Sequence, residues 1–74
     1  MNKARRRQIA EVINSIEIIK GVIEEIRDDE EDAYDNMPES LQESDRGEAM
    51  QEAVEFLENA CDSLDEALDN LTNI

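Results

Sequence analysis

A seven-residue repeat extends over the last third of the chain, from residue 49 to residue 74. Within it, large apolar residues alternate with alanine at spacings of three and four positions, and acidic residues fill most of the other positions. The apolar residues of the repeat are Met50, Ala53, Leu57, Ala60, Leu64, Ala67 and Leu71. This spacing places one apolar stripe along a single face of an α-helix. Because such a stripe needs a partner to cover it, the repeat predicts a helix that lies along a second helix.

A second stripe with the same spacing runs through the first half of the chain. Its members are Ile9, Val12, Ile16, Ile19, Ile23, Ile26 and Ala33. In a β-strand, apolar residues would instead recur at every second position. We therefore expect a first helix over residues 3–35. Pro38 cannot continue that helix and disfavours helical backbone at the residue before it, so the pattern predicts a turn over residues 36–44. A second helix is expected over residues 45–73.

The start of the second helix is indicated by Asp45 and Glu48, which have the three-residue spacing of a capping box. Asp45 is therefore the expected N-cap, and Ser44 is the alternative. Two long helices joined by a short turn are expected to be antiparallel neighbours. The sequence thus predicts an all-α fold, in which residues 1–74 form a single antiparallel helical hairpin of the coiled-coil kind.

In that hairpin we expect Ile16 to face Ala67 and Ile19 to face Leu64, so that in alternate layers a large residue meets a small one. Other apolar residues then remain on the flanks, and a monomer rarely leaves that much apolar surface in water. Homodimerisation into a four-helix bundle would cover them, and docking of part of the strip on a foreign protein is the alternative. The expected dimer interface consists of Ile13, Val22, Val54, Phe56, Cys61 and Leu68.

The chain carries 21 acidic and seven basic side chains, a net charge of −14, and no basic residue follows Arg46. Such a surface repels nucleic acid and anionic lipid and attracts basic proteins, so we expect a protein partner with a basic surface and no direct DNA binding. No apolar run approaches the roughly 20 residues that span a bilayer, so no membrane association is expected and the expected location is cytoplasmic. One cysteine, Cys61, and no histidine leave neither an internal disulfide nor a His/Cys metal site.

The strongest functional signal is the acidic side of the second helix. Eight acids recur on its outward positions over 22 residues, about one charge per 4 Å of helix axis. These residues, expected to bind the partner, are Glu48, Glu52, Glu55, Glu58, Asp62, Asp65, Glu66 and Asp69. Duplex DNA carries one charge per about 1.7 Å, so the acids of both helices together approach the charge density of DNA. The alternative is that the acids only keep a small bundle in solution.

The basic cluster at residues 3–7 is expected to lie near Asp65, Glu66 and Asp69 in the antiparallel hairpin, where it would help to set the orientation of the helices. An arginine-rich RNA-binding arm is the alternative reading of this cluster, although no aromatic residue for base stacking lies nearby.

The acidic run at residues 28–32 places oxygen ligands at several positions of an EF-hand loop, but Ala33 stands where that loop needs glycine. A solvated acidic helix end is therefore the expectation, with no metal ion and no cofactor. No nucleophile, base and orienting group occur in a pattern that would converge on a substrate, so the chain is not expected to be an enzyme.

Residues 27–50, RDDEEDAYDNMPESLQESDRGEAM, resemble a family of small acidic two-helix proteins encoded by phages and prophages of Gram-positive bacteria. The shared features are an acidic run, an aromatic residue before Asp-Asn, a Pro-Glu-Ser-Leu-Gln turn, Arg-Gly-Glu and a Leu/Ala/Glu heptad tail. The resemblance implies a phage context, in which small acidic proteins often act on proteins in the host cytoplasm. It also suggests a specific hairpin end made by Tyr34, Asp35, Asn36, Pro38, Leu41, Arg46 and Gly47.

Charge and phage context together predict a non-enzymatic accessory protein whose acidic helical surface inhibits or modulates a basic, nucleic-acid-binding host protein. An anti-defence or anti-CRISPR protein that mimics DNA would act in this way. The alternative is a structural homo-oligomerisation module with no inhibitory role.

Overall fold

Two long α-helices form nearly the whole structure. The computed structural model describes all 74 residues and contains α1 (Lys3–Asp35), the single turn α2 (Glu39–Gln42) and α3 (Asp45–Thr72), with no strand. The all-helical class predicted from the two apolar stripes is confirmed. The molecule measures 58 by 15 by 12 Å. None of the three helices combines the length and the apolar character that a membrane span requires.

The long helices run antiparallel and form a hairpin. At the open end, the Arg6 guanidinium donates a hydrogen bond to the backbone carbonyl of Ile74 over 3.4 Å. Midway along the hairpin, Lys20 Nζ lies 2.6 Å from Asp65 Oδ1. The first contact joins the start of α1 to the residues after α3, and the second joins the middle of α1 to the second half of α3.

Side-chain caps define where both long helices begin. The Asn2 side chain accepts a hydrogen bond from the backbone N–H of Arg5 over 2.8 Å and starts α1. Ser44 has extended backbone, and its hydroxyl accepts from the N–H of Gly47 over 3.4 Å, so Ser44 is the N-cap of α3. The expected cap, Asp45, is the first helical residue instead. The expectation was one residue late because serine and aspartate, adjacent here, both suit a cap position.

The side of α1 that faces α3 differs from the expected side. Partly buried residues of α1 that recur every three or four positions are Ile9, Ile13, Ile16, Lys20, Ile23, Arg27, Glu30 and Tyr34. Val12, Ile19 and Ile26, which the sequence pattern places in the seam, are 47%, 53% and 50% exposed. The expected layers at these three residues are therefore wrong. α1 is rotated from the expected orientation by about half of the 100° step between successive residues.

Four of the six residues expected at a dimer interface pack inside the single hairpin. They are Ile13, Val54, Cys61 and Leu68. The thiol of Cys61 is the most deeply buried of them, with the residue only 6% exposed. The rotation of α1 brings its seam over this side of the stripe on α3, so Cys61 is buried and the other three residues are partly covered within one chain. The other two, Val22 and Phe56, are 50% and 70% exposed.

Candidate acidic interface

The eight acids of α3 that were expected to bind a partner are all exposed. They occupy two adjoining sides of the helix. The side beside α1 carries, at spacings of three and four, Glu58, Asp62, Asp65 and Asp69. The side that faces away from α1 carries Glu48, Glu52, Glu55 and Glu66. Because residues three and four apart are neighbours on a helix, the two sets join into one continuous patch, called here the acidic surface.

Lys20 lies at the edge of the acidic surface and links the two long helices. Its Nζ is 2.6 Å from Asp65 and 3.6 Å from Glu24. The hydrogen bond to Asp65, together with the attraction of both carboxylates, raises the pKa of Lys20 above its ordinary value of 10.5. No other ion pair joins α1 to α3. Lys20 therefore marks which side of the hairpin carries Asp65 and the acids in line with it.

Arg27 is the second basic residue of the α1 seam. Its Nε and Nη2 donate to one carboxylate oxygen of Asp28 over 3.2 and 2.9 Å. The hydrogen bonds to Asp28 raise the pKa of Arg27, and Glu58 on α3 adds a further attraction across the seam. Arg27 thus lies on the same side of the hairpin as Lys20, next to the acidic surface.

Most of the acids have no basic partner. The acids that lie within 4.0 Å of a basic side chain are Glu24, Asp28 and Asp65. No ion pair involves the basic cluster at residues 3–7, so its expected pairing with the acids near the end of α3 does not form. Instead, Asp65 is taken by Lys20, and Arg6 donates to a backbone carbonyl. Of the 21 acids in the chain, all but three therefore keep an uncompensated charge.

An open groove of about 350 Å³ lies between α1 and α3 near the closed end of the hairpin. Its lining residues are Glu31, Tyr34, Asp35, Gln51, Val54, Glu55 and Glu58. Carboxylates form most of the lining, and Tyr34 adds an aromatic ring. Carboxylates beside an aromatic ring form suitable surroundings for the cationic end of a lysine or arginine side chain. The groove continues the acidic surface across to α1.

The closed end of the hairpin is held by contacts that the sequence pattern did not reveal. Gln42 Nε2 donates to the backbone carbonyl of Tyr34 over 2.9 Å and so joins α2 to the last turn of α1. Gly47 is buried and packs directly on the backbone of Gln42, where no Cβ would fit. Leu41, at 46%, and Arg46 are exposed. The resemblance had suggested Tyr34 and Gly47 at this end of the hairpin, whereas Gln42 was not expected there.

The side of the hairpin opposite Lys20 and Asp65 carries no charge over the middle part of the hairpin. In an antiparallel pair of helices, the residues that immediately precede the seam residues in the sequence lie on the same side of the hairpin on both helices. This side is formed by Val12, Ser15, Ile19, Val22 and Ile26 of α1 and by Ala53, Phe56, Ala60, Ser63 and Ala67 of α3. We call these ten residues the uncharged face. This face could not be recognised from the sequence pattern, because the pattern places three of the face's five large residues, Val12, Ile19 and Ile26, in the seam.

The residues considered for a calcium loop do not form one. Positions 28–35 belong to α1, and a helical backbone cannot fold around an ion. No group of three or more acidic or thiol side chains is positioned to share a metal ion.

Comparison of the chain with protein-family models, with curated proteins and with solved structures finds no match.

Proposed function

We propose that the protein is a non-enzymatic binding module whose acidic surface engages a basic, nucleic-acid-binding surface of another protein and inhibits or modulates it. The observation that carries this proposal is the exposure of all eight acids of that surface, of which only Asp65 has a basic partner. Exposed charge that is not neutralised within the chain is available to a partner of opposite sign.

The shape of the molecule supports the same proposal. The hairpin is a rod 58 Å long and at most 15 Å wide, with carboxylates along its length. A protein that binds nucleic acid presents a basic groove to a rod of phosphates. A rod of carboxylates competes for that groove by mimicking DNA, and the resemblance to phage-encoded proteins makes a host defence protein a natural target. The groove beside Tyr34 would receive a lysine or arginine side chain of the partner.

The test is charge reversal on the acidic surface, with a matched reversal elsewhere. The first variant carries Asp62→Lys, Glu66→Lys and Asp69→Lys; Asp65 is left intact because its reversal would place two lysines together at Lys20. This protein is immobilised on a resin. Host proteins that bind to a phosphate column are collected and passed over the resin, and the host proteins that the resin retains are eluted with a salt gradient. We expect retention that falls steeply with salt and is abolished in this variant.

The control variant reverses three exposed acids on the outer side of α1, Glu11, Glu25 and Asp29. It makes the same change in net charge, so it should retain more of the partner than the first variant if the acidic surface is the binding site. Retention that does not depend on salt, or that survives reversal on α3, would contradict the proposal.

A second candidate function is structural homo-oligomerisation, in which two hairpins form a four-helix bundle and no host protein is inhibited. The observation that favours it is the uncharged face, which leaves Phe56 70% exposed. If homo-oligomerisation is the only function, Phe56→Asp yields a monomer and abolishes that function. Charge reversal on the acidic surface then has no effect on the oligomer.

A further inference from the structure

The hairpin by itself buries very little. Only two of its 74 residues, Gly47 and Cys61, are buried, and Cys61 is the only hydrophobic one. A chain below about 80 residues rarely has a sufficient core of its own and is commonly completed by disulfides, metals or association. The single cysteine is free, so no disulfide supplies the missing stability. Association with another molecule would cover the apolar surface that the hairpin leaves exposed.

The orientation of α1 shows where that molecule would lie. Within the hairpin, the seam of α1 includes the charged residues Lys20, Arg27 and Glu30, while branched aliphatic residues of the uncharged face are about half exposed. In a hairpin that stands alone, burial of apolar area would favour the opposite rotation. In a four-helix bundle, by contrast, each helix points its apolar stripe at the bundle axis, between its two neighbours. α1 has its stripe turned from the seam towards the uncharged face, and α3 adds the exposed Phe56 on the same side.

The charge distribution indicates that the missing molecule is a second copy. Each chain has a net charge of −14, so two copies can approach only where neither must bury a carboxylate. The uncharged face is such a place, because the next position on this side of α1, the exposed Asp29, lies beyond its end. A basic partner would be drawn to the acidic surface, on the other side of the hairpin. The uncharged face therefore suits a surface that is itself apolar and uncharged, as its own copy is.

The size of the face makes it the centre of an interface. It extends from Val12 to Ile26 on α1 and from Ala53 to Ala67 on α3, about 21 Å of helix axis. With the 15 Å width of the hairpin it outlines roughly 300 Å², so the flanking parts of both helices would have to contribute the rest of the 800 Å² per partner of a standard stable interface. Large residues predominate on α1, whereas small ones predominate on α3. Large against small packing is obtained when α1 of each copy lies over α3 of the other.

We propose that the uncharged face is the self-association surface of this protein, and that two copies bury it against each other in a two-fold symmetric four-helix bundle. This inference rests on the second candidate function and assigns its interface. In the dimer, α1 of one copy lies antiparallel to α3 of the other, and both acidic surfaces remain outside, where each can engage a partner.

The first test compares adjacent residues of α1 by sedimentation equilibrium. Ile19 lies on the uncharged face, and Ile18, the matched control, lies on the outer side of α1; they are 53% and 62% exposed. Wild type should have twice the 8.5 kDa mass of one chain. Ile19→Glu should raise the dissociation constant by about a hundredfold or more, because it buries an unpaired carboxylate in the interface. Ile18→Glu should leave the dimer intact.

The outcomes separate the two levels of the proposal. Wild type that is monomeric at every concentration overturns both self-association and its assigned interface. A dimer that tolerates Ile19→Glu, or that is dissociated by Ile18→Glu, leaves self-association standing and overturns the assignment to the uncharged face.

A second measurement does not depend on a destabilising substitution. A photoreactive benzophenone analogue replaces Phe56, and irradiated protein is separated by mass and digested. The cross-linked dimer should join position 56 to the part of α1 of the second copy that contains Val22 and Ile26. A cross-link to α3 of the second copy overturns the proposed pairing of helices, and the absence of any cross-linked dimer overturns the interface.

Discussion

The two glycines of the chain have opposite surroundings and predict opposite effects of alanine. A Cβ on Gly47 would collide with the backbone of Gln42, whereas a Cβ on Gly21 would meet nothing within 4 Å. Gly47→Ala should therefore cost about 1–3 kcal/mol, as overpacking against an immobile backbone does. Gly21→Ala should stabilise by up to about 1 kcal/mol, because alanine is the better helix former. Urea unfolding followed by circular dichroism measures both, and equal effects would mean that α2 does not pack on α3.

At the scale of the helices, the local sequence was sufficient to locate both ends of α1 and the start of α3. The first helix was expected over residues 3–35 and the second from residue 45, and the structure has α1 at Lys3–Asp35 and α3 from Asp45. Pro38 and the cap residues act locally, so their effect can be read from the neighbouring sequence. The exposure of the acids could be predicted for the same reason, since helical periodicity alone turns them outward.

The rotation of α1 could not be predicted from its sequence. Its apolar residues cover more than one line along the helix, so the pattern is compatible with a seam through Ile19 or with one through Lys20. The expected seam was the more apolar of the two, the one through Ile19. That expectation assumed that the whole apolar stripe of α1 packs against a single partner helix. In the structure the stripe is shared between α3 and the uncharged face, and this division depends on tertiary packing, which a single-helix pattern does not encode.

The Lys20–Asp65 pair predicts a pH dependence that belongs to the contact between helices. The pKa of Lys20 is raised in the folded state above its ordinary value of 10.5. The pair therefore stabilises the hairpin fully below pH 10.5, and this contribution is lost as the pH rises through the higher folded value. Lys20→Met should lower the melting temperature at neutral pH, and its difference from wild type should shrink at the alkaline limit.

Lys3 provides the matched control for this prediction, because it is the other lysine of the chain and makes no ion pair. Lys3→Met should leave the melting temperature nearly unchanged over the same pH range. If Lys20→Met differs from wild type by a constant amount at every pH, the contact with Asp65 does not contribute through its charge.

At the scale of the whole molecule, the two proposed interactions should respond to salt in opposite directions. The proposed self-association would bring together two chains of −14 each, so salt that screens their repulsion should tighten the dimer. The proposed binding of a basic partner would depend on attraction to the acidic surface, so the same salt should weaken it. Each hairpin is 12 Å thick, so repulsion between copies should be strong at ~0.01 M salt, where the Debye length is about 30 Å, and largely screened at ~0.15 M, where it is about 8 Å.

We therefore expect the dimer dissociation constant to fall over this range of salt while the dissociation constant of the partner complex rises. Sedimentation equilibrium measures the first quantity, and calorimetric titration with the captured partner measures the second. The variant with Asp62, Glu66 and Asp69 changed to lysine should show a weaker salt dependence of dimerisation, because each reversal removes two units of repelling charge. If salt changes both dissociation constants in the same direction, one surface serves both interactions. The division of the hairpin into an uncharged and an acidic side would then have no functional meaning.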